Sequence, residues 1–204
     1  MLDSFSAPNR NGEVSRLPGE SLDIALGVGL ARCKDTRTVR TIGTLSEVGA
    51  WEMLFAASAV TLAVGVARRQ PRTIAVGRHM LGAGILASLV KTTVKRLVHR
   101  SRPNVVMETG RYDRGWFGPN DGPRQSFPSG HAAVSVAVAR AVGRACPEAR
   151  GAAEVGAGLI VVAQVLRGAH YPSDVVVGSV IGLAAEAAVN HLSGPGTAHR
   201  ESAA

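Results

Sequence analysis

Apolar positions in this chain come in blocks, not in the alternation of strands or the narrow stripe of a surface helix. Runs of roughly 15–20 apolar, Gly- and Ala-rich residues recur, separated by short clusters of Arg and Pro, which is the pattern of a chain that crosses a membrane several times. Five spans are predicted, at residues 48–67, 73–98, 131–145, 152–166 and 174–189. Small residues pervade them, as at Gly82, Ala83, Gly84, Ala87 and Ser88 or at Gly156, Ala157 and Gly158. Such residues let helices approach closely where lipid supplies no hydrophobic drive between them. The expected fold is all-α: a polytopic transmembrane helix bundle of about five spans plus an N-terminal interfacial helix.

That interfacial helix is assigned to residues 20–46, where the short apolar stretch from Ile24 to Ala31 runs into Arg32, Lys34, Arg37 and Arg40. The stretch is too short to span, so its basic face is expected to meet anionic lipid; the alternative is a truncated first span. Residues 1–19, with Pro8, Asn9, Asn11, Gly12, Pro18 and Gly19, are expected to be disordered. They do not read as a signal peptide, because no apolar core follows the scattered charges. Residues 20–192 make one membrane-embedded domain, and 193–204 a polar tail.

Spans that alternate in direction put the end of the second, the start of the third, the end of the fourth and the start of the fifth on one membrane face. Arg68, Arg69, Arg72, Arg144 and Arg150 then lie on the other, so the positive-inside tendency places the first face outside the cytoplasm. The basic N-terminal segment argues the other way.

Candidate chemistry falls on that first face. Arg167 to Asp174 reads Arg-Gly-Ala-His-Tyr-Pro-Ser-Asp. A neutral imidazole, His170, is a competent nucleophile toward phosphorus, and Asp174 four residues on can hold its other ring nitrogen. The same pair could simply cap a helix. Phe127-Pro128-Ser129-Gly130-His131 opens another helix, where first-turn N–H groups beside a glycine can cradle a phosphate-sized anion with His131 at the rim. Residues 95–103 read Lys-Arg-Leu-Val-His-Arg-Ser-Arg-Pro, a dense positive cluster suited to phosphoryl oxygens. Lys91, one turn before Lys95, either adds to that field or snorkels to water. Arg78 and His79 read as interface anchors or paired polar groups. In the 99–127 loop, Arg111, Arg114, Trp116, Phe117 and Arg124 mix charge and aromatic surface as a lid would, or are simply solvent-exposed.

Together these stretches resemble the signature of the type 2 phosphatidic acid phosphatase family, whose fold and site are shared with the vanadium haloperoxidases. The first motif, Lys then six residues then Arg-Pro, is matched by Lys95 and Arg102-Pro103; the second, Pro-Ser-Gly-His, by Pro128 to His131. The third, Ser-Arg, five residues, His, three residues, Asp, is matched by His170 and Asp174, but Ala163 and Gln164 stand where Ser-Arg is expected. The resemblance covers roughly residues 40–192. It implies a metal-independent phosphatase in which His170 forms a phosphohistidine, Asp174 orients it and His131 protonates the departing oxygen, while Lys95, Arg102, Ser129 and the Gly130 amide hold the phosphoryl oxygens. Gln164 can donate hydrogen bonds but carries no charge, and losing one such donor costs about 2.7–4 kcal/mol in comparable oxyanion sites. Arg167, one helical turn nearer His170, is the candidate replacement; otherwise it only reaches water.

Composition narrows the alternatives. The net charge of +8 comes with only 4% aromatic residues, and the charges border apolar runs, so lipid headgroups and phosphates are better partners than nucleic acid. Cys33 and Cys146 fit no metal spacing, no nucleotide-binding glycine loop follows a strand, no carboxylate pair implies magnesium, and no cofactor is called for. His99, His191 and His199 are read as surface residues. The expected activity is hydrolysis of a lipid phosphomonoester or polyprenyl diphosphate. The alternatives are a catalytically weak phospholipid-binding relative and a vanadate-dependent peroxidase, a class that is typically larger and soluble.

Overall fold

A computed structural model of the chain describes residues 18–48, 51–118 and 121–193; the expectations for residues 1–17 and 194–204 fall outside them. The helices are α1 (Glu20–Ala31), α2 (Arg37–Val48), α3 (Trp51–Ala67), α4 (Pro71–Leu97), α5 (Pro103–Thr109), α6 (Gly130–Ala145), α7 (Arg150–Leu166) and α8 (Pro172–Leu192). Two three-residue strands, β1 (Val98–Arg100) and β2 (Arg114–Trp116), pair antiparallel. Each predicted span is a helix, namely α3, α4, α6, α7 and α8. Pro71 and Pro172 open α4 and α8 from the first turn, where a missing N–H costs nothing. Three segments are long and apolar enough to cross a membrane, Pro71–Leu97, Pro147–Leu166 and Pro172–Leu192; α3 is apolar but shorter.

The chain is a polytopic transmembrane helix bundle built around α6. This helix packs on α3, α4, α7 and α8 and buries Ala132, Ala133, Val134, Ser135, Ala137, Val138, Ala139 and Ala141. Being sheathed by its neighbours, it does not need the length or hydropathy of a lipid-facing span. The sheath carries the exposed apolar surface instead, including Val60, Val64, Ile85, Leu89, Leu159, Val176 and Val180. Contact between α6 and α8 depends on Gly178 and Gly182, since a Cβ at either would overlap the carbonyl oxygen of Ser129 or Ala133. Of the small-residue runs, Ala83, Gly84 and Ala87 are buried in α4. In α7, Ala157 is buried, but a Cβ on Gly156 or Gly158 would meet nothing within 4 Å, so that run is not the packing face it resembles.

The N-terminal segment is two helices, not one. The chain turns at residues 32–36, and Thr36 Oγ1 accepts from Val39 N at 3.4 Å to start α2, the usual role of a threonine at a helix start. Apolar α1 lies against the bundle end: a Cβ on Gly27 would overlap the Tyr171 ring. The opposite end of the bundle holds a buried carboxylate, Glu186, with His79 Nε2 3.1 Å away and Arg144 Nε also on Oε1.

Candidate active site

The end of α4, the start of α6 and the α7–α8 turn converge through backbone hydrogen bonds. Ser129 N donates to Asp174 O at 3.0 Å, Ser126 N to Arg100 O at 3.0 Å, Arg102 N to Pro123 O at 3.0 Å, and Asn104 N to Gly168 O at 3.0 Å. The three motif stretches are therefore one structure. Gly168 takes φ +70, a conformation that favours glycine, and a Cβ there would press on Ala31 at 2.9 Å.

His170 is buried, at 3% exposure. Its Nδ1 lies 2.6 Å from the Ser126 carbonyl oxygen and 3.8 Å from Asp174 Oδ2. The carbonyl can only accept, so Nδ1 carries the proton and the lone pair stands on Nε2. This differs from the expectation that Asp174 itself holds the ring. Burial pushes the imidazole below its ordinary pKa, with the nearby Asp174 charge opposing the shift.

Asp174 is fully buried and fully engaged. It accepts from Ser126 Oγ at 2.5 Å, Tyr171 N at 2.8 Å and Arg100 Nη1 at 2.7 Å. Arg100 also donates to Ser173 Oγ at 2.8 Å, to Asp23 Oδ2 at 2.7 Å and, through Nε, to Tyr112 Oη at 3.0 Å, and it lies 4.1 Å over the Tyr171 ring. Burial works against its charge, but Asp174, Tyr112 and Asp23 hold its pKa above the ordinary value. From α1, Asp23 also receives Ser173 N at 2.9 Å, and Glu20 meets Tyr112 Oη at 2.5 Å and Arg114 Nε at 2.8 Å. Sequence reasoning missed this network. Arg100 sat inside the basic cluster already noted, but nothing local distinguished it from its neighbours.

The remaining candidates surround this centre. Ser129 is the N-cap of α6, with Oγ accepting from Ala132 N at 3.4 Å. Gly130 and His131 follow in the first turn, and the Lys91 ammonium lies 3.5 Å from where a Cβ on Gly130 would be, so Lys91 faces the second motif. His131 is electrostatically coupled to His170, Arg167, Glu52 and Lys95. Arg102 Nε and Gln164 Nε2 are buried donors without a partner among the described residues. Burial lowers the Arg102 pKa, with Asp174 opposing and Arg167 adding like-charge repulsion. Arg167 Nη1 reaches the Gly43 carbonyl on α2 at 3.4 Å. In the loop, Trp116 and Phe117 are exposed. His99 is not a surface residue: its ring packs against Gly115 and Gly118, with Nε2 3.5 Å from Asp113.

Fold and site define a class: a polytopic membrane helix bundle with a histidine, carboxylate and cation centre at one end. Residues 75–195, more than half of the chain, match the family model described as the PAP2 superfamily, and the chain belongs to that family. It is 31% identical over 109 residues to a lipid A 1-phosphatase of Rhizobium johnstonii, covering 52% of this chain and 43% of that protein. It is 37% identical over 123 residues to a decaprenylphosphoryl-5-phosphoribose phosphatase of Mycobacterium tuberculosis, covering 55% of this chain and 59% of that protein. The chain thus spans about half the length of the curated relatives it matches. Among solved structures, Aquifex aeolicus LpxE superposes with a TM-score of 0.63 at 20% identity, over 83% of this chain and 95% of that one. The first transmembrane PAP2 type phosphatidylglycerolphosphate phosphatase from Bacillus subtilis gives 0.60 at 18% identity, over 88% of each chain. At these identities the likeness is one of fold.

Proposed function

We propose that the protein is a membrane lipid phosphatase that hydrolyses a lipid phosphomonoester or polyprenyl diphosphate through a phosphohistidine. One observation carries this reading: Nδ1 of His170 is tied to the Ser126 carbonyl, which leaves the Nε2 lone pair as a nucleophile. The buried donors of Arg102 and Gln164, without partners among the described residues, can receive an anion's oxygens. Relatives named as phosphatases of lipid A and of decaprenylphosphoryl-5-phosphoribose support the substrate class.

In the proposed sequence His170 Nε2 bonds to phosphorus as the bond to the lipid oxygen breaks, and His131 gives that oxygen its proton. Lys95, Arg102, Ser129, the Gly130 amide and Gln164 hold the three other oxygens, with Arg167 adding charge from the next turn. Water, deprotonated by His131, then attacks the phosphohistidine, and the N–P bond electrons return to Nε2. Asp174, anchored by Arg100 and Ser126, stabilises the imidazole cation across 3.8 Å. No metal is needed, since the charge on phosphorus is met by the cations. The site faces the extracytoplasmic side, supported by Arg68, Arg69, Arg72, Arg144 and Arg150 at the far ends of the spans.

Purified protein in detergent, given phosphatidate, phosphatidylglycerophosphate and polyprenyl diphosphates with chelator present, should release phosphate, and His170→Ala should abolish release. Activity that needs a metal, or that survives the substitution, would falsify the mechanism. The neutral Gln164 at the third-motif Arg position favours one alternative, a relative that binds phospholipid without turnover; binding with no release would establish it.

A further inference from the structure

Helix α1 turns one face to the turn that carries His170. Glu20, Asp23, Gly27 and Ala31 follow one another at three or four residues, which sets them on one side of a helix. A Cβ on Gly27 would overlap the Tyr171 ring, and a Cβ on Gly168 would stand 2.9 Å from the Ala31 Cβ. The helix is therefore seated on both ends of the α7–α8 turn, at Gly168 and at Tyr171, with His170 between them. It lies outside residues 75–195, the part that matches the family.

Asp23 makes a polar contact across this seat. Its Oδ1 accepts from Ser173 N at 2.9 Å, and its Oδ2 accepts from Ser173 Oγ at 2.5 Å and from Arg100 Nη2 at 2.7 Å. Ser173 Oγ in turn accepts from Arg100 Nη1 at 2.8 Å, so the three side chains close a ring. Ser173 lies in the first turn of α8, and its N–H is one of the donors that a helix cannot use itself. Asp23 supplies the acceptor from another helix, where its charge also suits the positive end of α8. The next residue is Asp174, and its 3.8 Å distance from His170 depends on how this turn is held.

Charge gives Asp23 a second effect. Arg100 meets Asp23 through Nη2 and Asp174 through Nη1, each at 2.7 Å, with its side chain only 6% exposed. With Asp174 alone the pair would be neutral and would offer the imidazole little field. Two carboxylates against one guanidinium leave one net negative charge beside His170. Glu20 does not alter this count, because Arg114 pairs with it at 2.8 Å. Lys95 and Arg102 act against a cation on His170, and His131 is coupled to it as well, so the negative charge on the Asp174 side is what offsets them.

We infer that Asp23 is a positioning residue for the reaction: from α1 it holds Ser173 and Arg100 so that Asp174 keeps its place and its negative charge for the His170 cation. The inference rests on the phosphatase reading and adds to it a group from outside the three motifs.

The test is the pH profile of phosphate release from phosphatidate in detergent micelles by the whole chain. Asp23→Asn keeps the size of the side chain and one acceptor oxygen but removes the charge. The imidazole cation is then less favoured, so the acid limb of kcat/KM should move down by about 0.5 pH unit. Read as a rate, the same loss of cation stabilisation lowers kcat by about threefold, with KM little changed. Asp23→Glu, which restores the charge, should return the limb to its unaltered place. A merely structural Asp23 would lower the unfolding temperature and leave the limb where it was; that result overturns the inference and leaves the phosphatase reading intact. If Asp23→Asn does not fold, Arg100→Met/Asp23→Asn, which leaves no uncompensated cation, is compared with Arg100→Met. The limb should lie lower in the double variant than in Arg100→Met, and identical limbs overturn the inference. No release by the unaltered protein, from phosphatidate or from polyprenyl diphosphate, removes the phosphatase reading and the inference together.

Discussion

Removing the Arg100 guanidinium tests the network behind His170. In Arg100→Met the stem still packs, but Asp174, with its side chain wholly buried, loses its cation at 2.7 Å, and Asp23 and Ser173 lose theirs. Breaking a buried ion pair from one side costs about 3–5 kcal/mol, because the surviving charge stays out of water. At 6% exposure for the Arg100 side chain, little of this is lost to solvent screening. Asn at position 174 needs no cation, so Arg100→Met/Asp174→Asn should be destabilised by less than the sum of the single changes, with a coupling of roughly 1.5–3 kcal/mol. Unfolding in mixed micelles measures stability. The pH profile of kcat/KM separates positioning from mere folding: with the guanidinium gone, more of the Asp174 charge reaches His170, the imidazole cation is favoured, and the acid limb moves to higher pH. Additive stabilities together with an unmoved acid limb would refute a role for Arg100 in holding Asp174.

Other outcomes follow from the same contacts. Because burial lowers the His170 pKa and the proposed attack needs the neutral ring, the acid limb of kcat/KM should lie below the ordinary histidine value of about 6.5; a limb at or above it contradicts the proposed role of His170. Asp174→Asn removes the charge that opposes this shift, so the limb should fall further while kcat drops. Gly178→Leu drives a side chain into the Ser129 carbonyl and should cost about 1–3 kcal/mol as an overpacked contact, with phosphate release lost through the displaced α6 start; normal turnover would show that α6 and α8 can separate harmlessly. Glu186→Gln, twelve residues or about 18 Å along α8 from Asp174, keeps an oxygen for Arg144 but removes the buried charge that Arg144 and His79 face, and should lower stability by about 1–3 kcal/mol, with kcat of the folded fraction unchanged.

Most of the fold was readable because its evidence is local. A block of apolar residues bounded by Arg and Pro states a span without reference to any other part of the chain, and α3, α4, α6, α7 and α8 stand where the blocks do. What the blocks do not say is which span is sheathed. The run in α6 is rich in Ala because four helices close around it, whereas a Cβ on Gly156 or Gly158 in α7, equally small, would meet nothing within 4 Å among the described residues. The break into α1 and α2 was also marked, by Thr36 after Asp35, yet the basic residues on either side favoured one continuous amphipathic helix.

The site divides along the same line. His170, Asp174, His131 and the cations of the first motif were legible as short strings and as ends of alternating spans. Their supports were not, since Arg100 meets Asp174 across 74 positions of sequence and Asp23 meets Ser173 across 150. Nor could the partner of His170 be read from side chains at all, because it is the backbone oxygen of Ser126. That oxygen is aimed by one strand-like bridge, the pairing of Arg100 with Gln125 in which Ser126 N donates to Arg100 O, so the basic motif positions His170 through its backbone as well as its charge. A substitution that leaves every side chain of the three motifs intact but disturbs residues 125–126 should therefore turn the imidazole and slow the reaction. Gln125→Pro, which removes the N–H that Gln125 donates to the Gly122 carbonyl next to that bridge and fixes its φ, should lower kcat with little change in KM for phosphatidate; a rise in KM alone would place the bridge on the binding side instead.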